Sequence, residues 1–472
     1  MINLINEGEL LMKQTFQFKR RFDEKSTIQL PASYLQQHSL VANTSIELSF
    51  GSKTVRCQIT KNNECDQTIY LSDSLWEQLK LPFETSIHLF YQNGCLLIGP
   101  LIGIFTAGFT SSKQFPLGQR TSQYAKILKS QEEIGGYYFV FGHHLIDWEN
   151  GEINGYFLND GSWTLLTVPF PNVIYNRIPN RRTENLETIQ STKKKFETEY
   201  AIPYFNPNFF NKQEIHERLS KDDTVLPFLP ESLVKPSSHE LKALLSKYKH
   251  LYLKPIEGSH GEQIKQIIKL PEEPYFYCRY HDEDQIRLRR YSSLTRLLQH
   301  EYPDGLEDVI VQQGIHLLKL GKQPMDFRIH TNKNIDGRWE ITAIAAKKAG
   351  WQSVTTHIHR GGEVISVDDL VHDGLLSKKR VTQLKQAALT LSHALDHQLE
   401  GCIGEIGFDL GIDENGDIWL FEANSKPGRL IFEQGKLKRE DIISRELPLE
   451  YAIYLSKRAF ESPHHFINQL IT

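Results

Sequence analysis

Apolar and polar positions divide the chain into stretches of different texture. Within the first hundred residues two segments offset by 41 positions resemble each other. IQLPASYLQQHSLVANTSIEL (Ile28 to Leu48) and IYLSDSLWEQLKLPFETSIHL (Ile69 to Leu89) agree at nine of 21 positions. Each opens with alternating apolar residues, passes through a helix-like stretch starting at Pro31 or Ser72, and ends in a second alternating run, Ile46/Leu48 or Ile87/Leu89. Two strand-helix-strand units of this kind predict a small pseudo-twofold β-barrel over residues 1–98. At Leu97 the pattern becomes LIGPLIGIFTAGF, the continuous apolar run of a buried parallel strand entering a turn. A helix-like stretch from Ser122 to Glu133 and the strands YYFVFG and VIYNRI (Val173 to Ile178) follow, predicting a small α/β domain over residues 99–180. The polar segment NRRTENLETIQSTKKK, Asn180 to Lys195, reads as a solvated loop and helix at a domain boundary.

The remaining block, residues 181–472, carries the clearest helix, Lys379 to Glu400. Val381, Leu384, Ala388, Leu391, Leu395 and Leu399 recur at three- and four-residue spacing, and Gly401 supplies the stop. Two strand patterns, EIGFDLGI and DIWLFEAN, are then joined by Asp413-Glu414-Asn415-Gly416, which predicts a β-hairpin. A turn centred near Glu414-Asn415 sets Asp409 opposite residues 420 to 422, and Glu422 and Asn424, two apart, share a face. Two carboxylates and an amide oxygen are hard donors that suit Mg2+, which keeps water and phosphate oxygens in its other positions. Phe408, Ile418, Trp419, Leu420 and Phe421 predict that these strands are buried, where an unpaired carboxylate is costly.

Two further stretches carry candidate chemistry. In YLKPIEGSHGEQI a strand delivers Lys254 to a loop with Gly258, Ser259 and Gly261, residues whose small side chains let backbone N–H groups approach phosphate. VIVQQGIHLL (Val309 to Leu318) is an apolar strand interrupted by polar residues. In PMDFRIHTN, Asp326 and Arg328 share a strand face, where a guanidinium can hold a phosphoryl group bidentately.

Composition narrows the possibilities. The 472 residues hold 54 Lys+Arg and 58 Asp+Glu, a formal charge of −4, which argues against a broad footprint for nucleic acid or an anionic membrane. At roughly 150 residues per domain this length predicts about three domains. No apolar run reaches the length of a membrane span. The five cysteines (Cys57, Cys65, Cys95, Cys278, Cys402) lack close pairing, and MINLINEGELLMKQTFQ lacks the pattern of a secretory signal, so a reduced, cytoplasmic location is expected.

The order K-P-x-x-G-S-x-G, a strand ending Q-Q-G-I, D-x-R, G-F-D and then E-A-N-S-K-P resembles the ATP-grasp superfamily. The thirteen-residue step from Asp409 to Glu422, with E-x-N, is similar to the metal-binding pattern of its carboxylate-amine ligases. More narrowly, YNRIPNR, Q-Q-G-I, G-E-I-G-F-D and F-E-A-N-S-K-P-G-R resemble the spore-coat-associated YheC/YheD-type ATP-grasp family over about residues 25 to 466. The resemblance implies a small α/β pre-ATP-grasp domain and a C-terminal two-lobed ATP-grasp domain behind the barrel-like repeat domain, an α/β and α+β multidomain protein.

It also implies roles. Lys212, in FFNKQEIHERL, and Lys254 would meet phosphates. Gly258, Ser259 and Gly261 would form the phosphate lid, and the strand Ile310 to Ile315, with Gln312 or Gln313, would read the adenine edge. Arg328 would contact the γ-phosphate or acyl-phosphate. Asp409, Glu422 and Asn424 would bind Mg2+, and Lys426 and Arg429 would meet substrate carboxylate or phosphate. HIHRGG (His357 to Gly362) stands where a family loop commonly begins with asparagine, and its two histidines without a third ligand read as solvated imidazoles rather than a zinc site. The implied activity is an ATP- and Mg2+-dependent carboxylate-amine ligase acting on small-molecule or peptide substrates, possessed by a spore-forming bacterium and possessing no nucleic-acid or membrane partner. The alternatives are a phosphotransferase on the same fold and an ATP-binding structural protein of the spore coat.

Overall fold

The computed structural model describes residues 14–63, 67–256, 263–282, 285–350 and 362–463. Gly258, Ser259 and Gly261, and with them His357 and His359, lie outside the described residues. Strands β1 (Phe16–Arg21), β2 (Thr27–Pro31), β3 (Ser45–Phe50), β4 (Lys53–Asn62), β5 (Thr68–Ser72), β6 (Thr85–Gln92) and β7 (Cys95–Gly99) close a barrel in the order β1-β5-β2-β4-β3-β7-β6. The two halves of the sequence repeat occupy equivalent places, each strand leading through a short helix (Ala32–Gln37 or Asp73–Leu79) to a second strand. Their alternating residues Ile28, Leu30, Leu48, Ile69, Leu71 and Ile87 fill the interior. The second helix starts where Ser72 accepts a hydrogen bond from the Leu75 N–H, while the first follows Pro31 without a side-chain cap.

The apolar run from Leu97 divides between two sheets instead of forming one strand. β7 ends at Gly99, whose φ of +130° suits glycine, and β8 (Leu101–Phe105) begins the second sheet. That sheet adds β9 (Tyr137–Phe141), β10 (Ile146–Asp147), β11 (Glu152–Asn159), β12 (Ser162–Pro169), β13 (Val173–Asn176) and β14 (Tyr204–Phe205). Its order is β10-β11-β9-β8-β13-β14 with β12 on β11, and β8 lies parallel to both β9 and β13, as its fully apolar sequence predicts. The predicted helix over Ser122 to Glu133 occurs as two, Thr121–Lys129 and Gln131–Ile134. The β11–β12 hairpin turns at Asp160-Gly161, a D-G pair suited to a tight hairpin turn.

The segment after Asn180 is less solvated than its polarity suggests. It forms helices Arg181–Glu184 and Glu187–Thr198, which bury Glu184, Ile189, Lys193 and Phe196, and β14 then extends the second sheet beyond residue 180. One apolar core joins the barrel to this sheet. Phe16, Phe50 and Ile98 belong to the same cluster as Phe139, Phe157 and Phe196, and the Tyr137 ring lies 5.4 Å from both Phe50 and Phe83.

At Gly51 the barrel backbone lies against the end of β12 in the second sheet. Its φ is +55°, and a Cβ there would stand 2.4 Å from the Phe170 carbonyl oxygen. Gly51→Ala should therefore cost about 1–3 kcal/mol, whereas Gly161→Ala, also at positive φ but with nothing within 4 Å, should cost less. Thermal denaturation of the two variants checks the ranking.

The third and fourth sheets are both antiparallel. β15 (Ser232–Val234), β16 (His250–Pro255), β17 (Lys265–Ile268), β18 (Phe276–Asp282), β19 (Gln285–Tyr291) and β20 (Val309–Gln313) run in the order β15-β20-β16-β17-β18-β19. Their core meets the helices Ser238–Tyr248 and Leu294–Glu301. The fourth sheet, β24-β23-β22-β25-β26 with β21 on β22, is built from β21 (Lys319–Leu320), β22 (Gln323–Lys333), β23 (Trp339–Lys348), β24 (Glu363–Ser366), β25 (Glu405–Ile412) and β26 (Ile418–Asn424). The predicted long helix, Lys378–Gln398, covers one face with Leu384, Ala388, Leu391 and Leu395, starting at the Ser377 cap and followed by Gly401 at φ +81°.

Candidate active site

The hairpin of β25 and β26 forms where its alternation and turn predicted it. Register pairs Asp409 with Glu422 and Gly407 with Asn424, so Asp409, Glu422 and Asn424 share one sheet face. A shift in register between Asp409 and Leu410 leaves Phe421 as the extra residue, a bulge immediately beside the acids. The neighbouring strand β22 sets Arg328 opposite Asp409 and Asp326 opposite Gly411, and β23 sets Lys347 opposite Asp326.

Asp409 is 5% exposed, and both of its oxygens are occupied. Oδ1 accepts from Lys347 Nζ at 2.6 Å and Oδ2 from Arg328 Nη2 at 3.0 Å. Lys347 also lies 3.1 Å from Asp326 Oδ1. Burial works against the Lys347 ammonium, but Asp326 and then Asp409 outweigh it and hold its pKa above the usual lysine value. Sequence reasoning missed Lys347. The signal was the alternation of AIAAKK, but its partner acids become evident only once β22, β23 and β25 are aligned.

Across from this face stands the third sheet, and the two enclose a cavity of about 510 Å3 lined by Lys212, Lys254, Gln312, Gln313, Asp326, Lys347, Asp409 and Glu422, among others. Lys212 opens the helix Lys212–Leu219, whose cap Asn211 accepts from the Gln213 and Glu214 N–H groups. Its Nζ lies 3.9 Å from Glu422 Oε1. Lys254, on β16, donates to Gln312 Oε1 at 2.6 Å, and its pKa is pushed down to about 8 by burial and then by the charge of Lys212. Gln312 Nε2 donates to Ser232 Oγ at 3.3 Å, and Gln313 Oε1 accepts from the Glu231 N–H at 3.1 Å.

Two of the sequence-predicted residues are held elsewhere. The structure does not bring Lys426 or Arg429 to the cavity. Lys426 is buried in an ion pair with Glu184 and lies 4.5 Å from the Phe209 ring centroid, its pKa pushed down to about 7 by burial against the opposing pull of Glu184. Arg429 donates to Glu405 Oε2 at 2.5 Å, to Tyr175 Oη at 3.1 Å and to the Ser444 carbonyl at 3.0 Å. Glu184 from the helix Arg181–Glu184, Glu405 from β25, Tyr175 from β13 and Ser444 from the helix Lys438–Glu461 occupy these cations, and a substrate would have to displace them. Asn424 is on the predicted face, and Arg328 reaches Asp409, although neither lines the cavity.

The donors on this face have the hard-oxygen chemistry that Mg2+ takes, and Lys347 and Arg328 engage both oxygens of Asp409. Among the described residues no three His, Cys, Asp or Glu side chains group as a metal cage. Asp409, Glu422 and Asn424 would offer two carboxylates and an amide, an incomplete oxygen shell that water and phosphate would have to complete around Mg2+.

Two antiparallel sheets closing on a cleft, one bearing Lys254 and the other the acids, define a protein of the ATP-grasp class. More particularly, the chain belongs to the YheC/D-like ATP-grasp family, whose model matches residues 201–455. It is 40% identical over 443 residues to "Endospore coat-associated protein YheD" of Bacillus subtilis (strain 168), covering 93% of this chain and 96% of that one. "Endospore coat-associated protein YheC" of the same organism is 22% identical over 281 residues, 57% of this chain and 74% of that one. Among solved structures, VanG D-Ala:D-Ser ligase from Enterococcus faecalis matches at 12% identity and a TM-score of 0.44, covering 75% of this chain and 99% of that one. D-Alanine–D-alanine ligase from Bacillus anthracis matches at 15% identity and a TM-score of 0.43, covering 76% and 97%.

Proposed function

We propose that this chain is an ATP-dependent carboxylate-amine ligase that makes an amide through an acyl-phosphate. The observation that carries this reading is the meeting, across one cavity, of Lys254 from the third sheet with Lys212, Asp409 and Glu422 from the opposite wall. A carboxylate is a poor acyl donor because its leaving group would be oxide. Transfer of the γ-phosphoryl group of ATP gives a mixed anhydride. An amine attacks its carbonyl carbon, expels inorganic phosphate and loses a proton.

Lys212 and Lys254 offset triphosphate charge, and Arg328, held by Asp409, is the guanidinium nearest the acids for the transferring group. Asp409, Glu422 and Asn424 would hold Mg2+, which supplies charge neutralisation at the phosphates. Gln312 and Gln313 are assigned to the adenine edge, and Gly258, Ser259 and Gly261 to the lid over the phosphates. Lys426 and Arg429 are assigned a supporting role, because their charges are already matched by Glu184 and Glu405. The substrates are taken to be small molecules or peptides, the location spore-associated as in the names of the relatives, and the organisation a barrel-like domain, a small α/β domain and the two lobes.

The test incubates purified protein with ATP, Mg2+ and a pool of amino acids and peptides. ADP and inorganic phosphate should appear together with a new amide detected by mass spectrometry. EDTA should stop the reaction, and excess Mg2+ should restore it. ADP without inorganic phosphate would instead identify a phosphotransferase, and nucleotide binding without any ADP would leave an ATP-binding structural protein of the spore coat.

A further inference from the structure

The cavity is charged unevenly. Its lining acids among the described residues, Asp326, Asp409 and Glu422, all belong to the fourth sheet. Among the described residues the opposite wall contributes Lys249, Lys254, Lys269 and Arg279 and no acid. Lys254 is engaged by Gln312, and Lys269 Nζ donates to the Leu270 carbonyl at 3.1 Å and to the Glu273 carbonyl. Arg279 differs. Its Nε is buried and has no hydrogen-bond partner among the described residues.

Next to it on β17, and paired with it in register, is Gln266. This side chain is 6% exposed and lines the cavity; its Nε2 donates to Tyr252 Oη at 3.3 Å, while its Oε1 has no partner among the described residues. His250, whose ring lies 4.6 Å from that of His316, is kept neutral by burial and then by the charges of His316 and Arg279.

Arg279 as a whole is half-buried, but an Nε–H enclosed without an acceptor is unfavourable, and the planar fork that carries it matches a carboxylate or phosphate. The unfilled acceptor of Gln266 calls for a ligand N–H or O–H alongside. We propose that Arg279 and Gln266 form a second anion subsite of this cavity, away from the acids of the fourth sheet, which takes a carboxylate or phosphate flanked by a hydroxyl or amine. The anion belongs either to the nucleotide or to a separate substrate. This subsite deepens the proposed ligase reading and rests on the triphosphate lying at the Asp409 end.

Calorimetric titration of the full chain and of Arg279→Gln, with Arg279→Lys as a charge-retaining control, tests it. The probes are Mg2+-ATP, adenosine, and inorganic phosphate added to free and to ATP-saturated protein. If the anion is the nucleotide's own, Arg279→Gln weakens ATP at least tenfold, leaves adenosine within twofold, and Arg279→Lys recovers part of the loss. If it is a separate substrate's, ATP stays within twofold and the phosphate binding of the ATP-saturated wild type is lost in Arg279→Gln. ATP and phosphate binding both within twofold of wild type, or adenosine weakened in parallel with ATP, would overturn the subsite. Failure of the wild type to bind ATP would instead sink the ligase reading, and phosphate binding to the free protein would still decide this one.

Discussion

Glu422→Gln should lower Mg2+-dependent ADP formation by roughly a hundredfold or more, the scale of a lost metal contribution to a phosphoryl transition state. Folding should hardly change, because the Glu422 side chain is 27% exposed and its nearest cation, Lys212, is 3.9 Å away. Asp409→Asn makes the informative contrast. Its carboxylate is buried and binds both Lys347 and Arg328, so its removal should abolish turnover and also destabilise the chain by about 3–5 kcal/mol, the cost of breaking a buried pair. Steady-state ADP release with thermal unfolding of both variants separates the two effects. Turnover of Glu422→Gln at the wild-type rate would remove this acid from the metal site and weaken the ligase reading with it.

The second large effect is expected at Glu405, outside the cavity. This carboxylate is 1% exposed and receives Tyr175 Oη at 2.6 Å, Arg177 Nη1 at 2.7 Å and Arg429 Nη2 at 2.5 Å. It stands on β25 four residues before Asp409 and ties that strand to the second sheet through Tyr175 and Arg177. Glu405→Ala strands two guanidiniums in a dry interior, and a loss of about 3–5 kcal/mol is expected. Urea unfolding followed by tryptophan fluorescence measures it. Combining Glu405→Ala with Arg429→Met should recover part of the loss, since one orphaned charge is then gone. A single Glu405→Ala variant as stable as wild type would mean that water reaches these arginines.

What the chain disclosed about itself follows the range of the interactions involved. The hairpin was legible because its determinants are local: alternation in EIGFDLGI and DIWLFEAN and a turn of Asp413 to Gly416 fix register within one residue, and Asp409 meets Glu422 accordingly. The barrel repeat was legible for the same reason, each half carrying its own strand-helix-strand pattern. Lys347 was hidden because its acids arrive from two other strands. Lys426 looked free because its counter-ion, Glu184, lies 242 positions away in a segment whose polarity suggested solvent. Charge in a sequence does not reveal whether the fold has already spent it on a partner.

The apolar core shared by the barrel and the second sheet has a consequence for the history and handling of this protein. A cut after residue 98 would strip Phe16, Phe50 and Ile98 from Phe139, Phe157 and Phe196 and wet a surface built to stay dry. The barrel is therefore keel rather than cargo. It should be inherited or lost together with the sheet it covers, and a shortened chain meant to isolate the ATP-grasp lobes should keep both, because Tyr175 and Arg177 of the second sheet also hold Glu405 of β25.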